Sequence, residues 1–207
     1  MKEFMNKYNE QIKKLFTFFI IYMIGFMALE NRVSYRMVYT DSVIDTYIPF
    51  NEYFVIPYLL WFLFIGLGFC YFVFIDHQGF QRTCFYLFSG MLIALLVYVI
   101  FPNGQSLRVN LNNDNIFQCL VSFIYSVDPA VNVCPSIHVY NSVMMMITLY
   151  KSDGFREKKW LVVSCFVLTI LICMSTLLIK QHAFIDVICA VILCIVIYNV
   201  GKKKFGY

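Results

Sequence analysis

Charge is scarce in this chain. Of its 207 residues 14% are Asp, Glu, Lys or Arg, against 61% hydrophobic. A soluble globular domain sits nearer a quarter charged and half apolar, so that class is excluded, and no nucleic-acid partner is expected. Proline and glycine are limited to five and nine residues. No Pro/Gly-rich linker, internal repeat or low-complexity tract divides the chain, so a single membrane domain over 1–207 is expected. The eight cysteines form no CxxC pair. Cys70, Cys165, Cys173, Cys189 and Cys194 fall inside apolar runs and read as packed thiols. Cys119 and Cys134 share one loop and could pair. There are three histidines, so each is worth following.

What is abundant is apolar sequence in long runs. Spans are predicted at about 15–29, 53–75, 84–101, 136–150, 160–179 and 181–200, near the roughly 17 to 20 residues that cross a bilayer. The fourth is short by that measure. The first could pass for a signal-peptide core, but Glu30-Asn31-Arg32 follows it where a small-residue cleavage site would stand. It is read as a retained span. The expected fold class is all-α: an integral membrane six-transmembrane-helix bundle. Residues 30–52, polar and aromatic, suit a segment lying at the interface.

Six spans put both termini on one side, and the distribution of basic residues tests which side. Termini and even loops hold Lys2, Lys7, Lys13, Lys14, Arg82, Lys151, Arg156, Lys158, Lys159, Lys202, Lys203 and Lys204, which is 12 of the 16. Odd loops hold the other four: Arg32, Arg36, Arg108 and Lys180. Cations favour the cytoplasmic side, so both termini are expected there. Small size and the absence of extensions suggest a bacterial cell membrane.

Under that topology spans four and six both start on the outer side, and each is opened by a histidine. In Lys180-Gln181-His182-Ala183-Phe184-Ile185-Asp186, His182 and Asp186 share one helix face. Asp186 can hold one ring nitrogen and leave the other free as nucleophile or base. An isolated pair of this kind is more often a polar tie between helices. In Pro135-Ser136-Ile137-His138, His138 fits a general acid. Ser136 fits an N-cap whose hydroxyl and neighbouring N–H groups could hold phosphate oxygens. Arg108 and Lys180 fall in the same outer layer and are candidate phosphate-binding cations. His77 falls on the cytoplasmic side and is set aside, while Asp128 and Asn132 are read as shaping the loop. A zinc site on His138, His182 and Asp186 is the competing chemistry. With no HExxH motif and two basic residues nearby to repel a cation, neither metal nor cofactor is expected.

Pro135-Ser136-Ile137-His138 resembles the PSxH motif of the type 2 phosphatidic acid phosphatase superfamily. Ser175 to Asp186 is similar to that family's SRxxxxxHxxxD motif, with His182 and Asp186 in register. Phe101 to Arg108 resembles the end of its KxxxxxxRP motif. Three positions depart: Phe101 stands for the motif lysine, Val109 for the proline and Thr176 for the arginine, with Lys180 a possible substitute. The resemblance implies a metal-independent hydrolase of lipid phosphate or prenyl diphosphate, acting at the outer face through a phosphohistidine on His182. Asp186 would orient that ring, and His138 would act as acid and base. The membrane lipid and the bilayer would be its partners. The Lys-Gln-His run is also similar to the branch containing inositol phosphorylceramide synthases, which implies a headgroup transferase as an alternative. The missing motif cations leave a third, a catalytically silent lipid-binding protein.

Overall fold

The structure is a computed structural model describing residues 2–30 and 37–206, with side chains from residue 8 onward. Arg32 and Arg36, counted above among the outer cations, lie outside the described residues, as do the side chains of Lys2 and Lys7. The described chain is all-α apart from one two-residue pairing. Its elements in order are α1 (Lys2–Glu30), β1 (Val38–Tyr39), α2 (Val43–Tyr47), α3 (Val55–Phe74) and α4 (His77–Ile100), then β2 (Asn103–Gly104) and α5 (Ile116–Val127). The chain continues with α6 (Ile137–Tyr150), α7 (Asp153–Arg156), α8 (Lys159–Leu178) and α9 (Phe184–Phe205). A 3₁₀ turn, Glu52–Phe54, leads into α3.

Five of these helices are long and apolar enough to cross a membrane: Tyr8–Glu30, Glu52–Phe74, His77–Ile100, Lys159–Leu178 and Phe184–Phe205. The fourth expected span is the exception. At 14 residues, α6 is about 21 Å long at 1.5 Å per residue, short of a hydrocarbon core of about 30 Å. It is also the most enclosed helix, packed against α3, α4, α8 and α9. Val139, Tyr140, Met144 and Met145 are essentially without solvent contact. Burial in protein explains its short length, because no lipid thickness has to be matched along its flanks. The lipid-length helices instead expose Phe16, Ile20, Phe62, Leu67, Phe166 and Ile195, as a bilayer-facing surface does.

Short polar bonds tie the bundle at both ends. At one end Ser136 N–H donates to Asp186 O (3.2 Å), and Asn51 N–H to Leu178 O (2.9 Å). There too the Tyr98 hydroxyl donates to Pro135 O (2.7 Å). This end therefore gathers the starts of α3, α6 and α9 with the ends of α4 and α8. At the other end the Tyr71 and Ser152 hydroxyls meet at 2.8 Å, and Asp76 caps α4 through Gly79 N–H at 2.9 Å. Helix α6 reaches from the first layer, at Ser136, to the second, at Ser152.

The loops carry more structure than expected. The interfacial segment forms α2, and the long 102–135 loop contains the 12-residue α5. Strand β1 pairs in parallel with β2. Asn103, 1% exposed, accepts from Val133 and Cys134 N–H at 2.8 Å and donates to Cys134 O at 3.0 Å. One amide side chain thus pins the segment leading into Pro135-Ser136.

Candidate active site

Ser136 starts α6 as a helix cap. Its backbone is extended, its hydroxyl accepts from Val139 N–H (3.4 Å), and its carbonyl accepts from Tyr140 N–H (3.0 Å). Two residues on, His138 enters an aromatic slot. Its ring stacks on Tyr58 at 4.5 Å between centroids and lies 4.4 Å from Trp61. His182 faces it across a 5.9 Å centroid separation.

The start of α9 is built differently. The chain leaves α8 through Lys180 in a left-handed conformation (φ 55°), which turns it sharply enough for Gln181 and His182 N–H both to reach Thr176 O at 3.0 Å. Asp186, fully buried, accepts from Ala183 N–H at 2.8 Å and stands 3.4 Å from His182 Nδ1. The two side chains approach as expected, but His182 precedes α9, so the turn at 180–183 and not a shared helix face brings it to Asp186; His182 also lines a cavity. At α9 the helix-start N–H groups are used internally: Phe184 N–H is taken by Asp45 Oδ1 at 2.7 Å.

That cavity, about 440 Å³, is lined by both histidines, by Tyr22, Phe26 and Glu30 of α1, by Tyr58 and Trp61 of α3, and by Asp128, Asn132 and Gln181. Several polar atoms of residues on its wall have no hydrogen-bond partner among the described residues: Tyr22 Oη, Trp61 Nε1, Asn132 Nδ2 and His138 Nε2. Buried polar groups are ordinarily paired, so a cluster of unpaired ones around a cavity marks a place for a ligand.

The two candidate cations stand elsewhere. The Lys180 ammonium donates to the carbonyls of Asp45 (3.0 Å) and Ile48 (2.5 Å) and does not line the cavity. Burial lowers its pKa, against the raising influence of Asp45. The physical reason is the left-handed turn, which sends its side chain toward α2. The Arg108 guanidinium donates to Tyr125 O (2.8 Å), to Asp128 O and to Gln181 Oε1 (2.6 Å), and lies over the Tyr125 ring. Burial lowers its pKa too, opposed by Asp128, Tyr125 and Tyr58. The structure thus brings together His138, His182, Asp186 and Ser136, reaches Arg108 through Gln181, and turns Lys180 away. The repulsion from Arg108 and Lys180 expected to keep a metal out is correspondingly weaker. Among the described residues, no three His, Cys, Asp or Glu side chains converge as metal ligands would.

One set of residues was not read as part of the site. Asp128 Oδ2 accepts from the Tyr58 hydroxyl (3.1 Å) and from Gln181 Nε2 (3.0 Å). With Arg108 on the other end of Gln181, this chain connects the residue preceding His182 to the ring stacked on His138. Only the adjacency of Gln181 to His182 was visible in the sequence. Cys119 and Cys134 are free thiols. Burial pushes the Cys134 thiol up, and Asp186 and Cys189 push the same way. His77 lies at the opposite end of α4, where its Nε2 meets the Tyr8 hydroxyl at 3.2 Å.

A family model for the PAP2 superfamily matches residues 85–206. No curated protein and no solved structure matches the chain. The matched stretch is more than half of the 207 residues and holds both histidine-bearing helix starts, and the chain belongs to the PAP2 superfamily.

Proposed function

We propose that this protein is a metal-independent phosphatase of a membrane lipid phosphate or prenyl diphosphate, working through a phosphohistidine on His182. Family membership and the five membrane-length helices fit a membrane phosphatase-type function. The observation carrying the finer reading is the 5.9 Å approach of His138 and His182, from two helix starts tied together by Ser136 N–H to Asp186 O. One phosphoryl group between the rings can touch both.

In the first step the outer ring nitrogen of His182 attacks phosphorus, and the bond from phosphorus to the lipid oxygen breaks. His138 gives a proton to that oxygen as it leaves. Asp186 faces Nδ1–H and stabilises the imidazolium that forms. In the second step neutral His138 takes a proton from water as the water oxygen attacks phosphorus, and the N–P bond breaks to release phosphate. Such acid–base help is typically worth about 10² to 10⁴ in rate. The Asn132 amide, on the cavity wall, holds a phosphoryl oxygen, while Ser136, buried and off that wall, caps α6. Arg108 supports the site through Gln181, and Lys180 braces the loop.

The topology belongs to the same proposal. Helix α6 joins the two polar layers and counts as a sixth crossing inside one membrane domain. Both termini are then cytoplasmic, and the cavity lies at the outer headgroup level.

The test is phosphate release by purified protein in detergent with EDTA present, from phosphatidate, phosphatidylglycerol phosphate and a prenyl diphosphate. Release that survives EDTA and vanishes in His182→Ala is the expected result. Release abolished by EDTA contradicts the mechanism. Turnover only with an alcohol acceptor makes the enzyme a headgroup transferase.

A further inference from the structure

His182 stands between two bonds to one segment that lies off the cavity wall. Two residues before it, the Lys180 ammonium donates to the carbonyls of Asp45 and Ile48. Two residues after it, Phe184 N–H donates to Asp45 Oδ1 at 2.7 Å. Both ends of the turn are thus fastened to α2 and to Ile48, which closes it. The second bond has a local cause. Ala183 occupies the N-cap of α9, and an alanine side chain has no oxygen to take a helix-start N–H. Asp186 takes Ala183 N–H, and Phe184 N–H finds its acceptor 139 residues away.

Asp45 is 2% exposed and does not line the cavity. Its other oxygen, Oδ2, accepts from Ser42 N–H at 2.8 Å and from the Ser42 hydroxyl at 2.7 Å. One carboxylate therefore joins the start of α2 to the start of α9. The residues before it are held in turn. Val38 N–H donates to Pro102 O at 3.0 Å and Thr40 N–H to Gly104 O at 2.9 Å. Ser106 N–H donates to Asp41 Oδ2 at 3.0 Å. Residues 38–48 form a strap across the loop that leads to Arg108 and the turn that carries His182. The strap lies outside the matched family stretch, which begins at residue 85.

We propose that Asp45 is a positioning residue for phosphoryl transfer. Through Phe184 N–H and Lys180 it fixes the 180–184 turn, and with it the pose in which His182 meets Asp186 on one side and His138 on the other. Asp45 touches no substrate and moves no proton. Its effect on rate rests on the phosphatase reading, whereas its effect on the His182 ring does not. His182 Nδ1 stands 3.4 Å from Asp186 Oδ2. A shift of about 1 Å in a reacting group is enough to cost about 10²-fold in rate.

The test takes full-length protein in detergent with Asp45→Ala, Asp45→Asn and, as control at the exposed pair with Arg156, Asp153→Asn. Nitrogen NMR of isotope-labelled histidine, at mildly alkaline pH where an ordinary imidazole is neutral, reads the His182 ring, assigned by its loss in His182→Ala. Wild type and Asp153→Asn show one tautomer with the proton on Nδ1, facing Asp186, and Asp45→Ala shows a mixture of the two. In phosphate release, Asp45→Ala lowers kcat by about 10- to 100-fold and leaves KM within about twofold. Asp45→Asn keeps a carbonyl oxygen for Phe184 N–H and recovers most of the rate and the single tautomer. Should Asp45→Ala not fold, Asp45→Ser, too short to reach Phe184 N–H, takes its place. A His182 signal in Asp45→Ala identical to wild type overturns the inference, and so does a loss in Asp45→Asn as deep as in Asp45→Ala. A rise in KM at unchanged kcat overturns it too, by placing Asp45 in substrate binding. Absence of release from every lipid overturns the phosphatase reading alone, because the ring signal still decides whether Asp45 positions His182.

Discussion

The two ends of the bundle are made of similar residues and do different things. Each gathers a histidine, basic side chains, carboxylates and tyrosines near helix termini. At the His77 end, the imidazole meets the Tyr8 hydroxyl and packs edge-on against its ring at 4.9 Å, Asp76 caps its own helix, and Tyr71 bonds Ser152. At the His138–His182 end, Arg108 and Lys180 donate mainly to backbone carbonyls and Gln181, and the cavity is lined by residues with polar atoms that lack partners among the described residues: His138, Tyr22, Trp61 and Asn132. The difference teaches that residue type does not make a site. What sets the His138–His182 end apart is that several unpartnered polar groups line one cavity together.

Several measurements can break that contrast. The largest effect belongs to His182→Ala, for which phosphate release falls to background while the protein still purifies as a folded species. Next is His138→Ala, for which turnover drops by about 10² to 10⁴, the usual contribution of a general acid–base group. Residual activity near wild type would remove His138 from the mechanism. Lys180→Met separates a bracing lysine from a phosphate clamp. With its ammonium on two backbone carbonyls, the substitution costs about 1–3 kcal/mol of stability, read by thermal unfolding, and leaves KM nearly unchanged. A large rise in KM with unchanged melting would restore Lys180 to phosphate binding. In the shared core, Gly90→Ala tests packing without touching either end. An added Cβ would stand 1.9 Å from the buried Tyr140 ring, and overpacking of that kind costs about 1–3 kcal/mol. The smallest effect is at the opposite end, where His77→Ala leaves the rate of phosphate release unchanged.

Much of this was legible in the sequence because it depends on local pattern. Apolar run lengths point to six spans, and five of these are helices of membrane length. The spacing of His182 and Asp186 points to their pairing, though through the turn before α9, and Pro135-Ser136 marks a helix start. What was not legible depends on distant partners. Lys180 looks like a site residue because it precedes His182, but the left-handed turn there sends its side chain to α2, while that of Gln181 goes to Asp128 and Tyr58. Those partners lie more than fifty residues away in the chain. The role of Asp45, which caps Phe184 N–H from 139 residues away, is invisible for the same reason. The short length of α6 was legible, but its reason was not. Its neighbours, which no local window contains, set it.

The central claim is that phosphorus passes through His182. The direct measurement is to quench turnover of a lipid substrate carrying labelled phosphorus and to look for label on the protein. The account predicts an acid-labile, alkali-stable phosphoryl group on the peptide containing His182, formed with EDTA present and absent in His182→Ala. Label that is alkali-labile and maps to Asp186, or turnover that continues in His182→Ala, would contradict it.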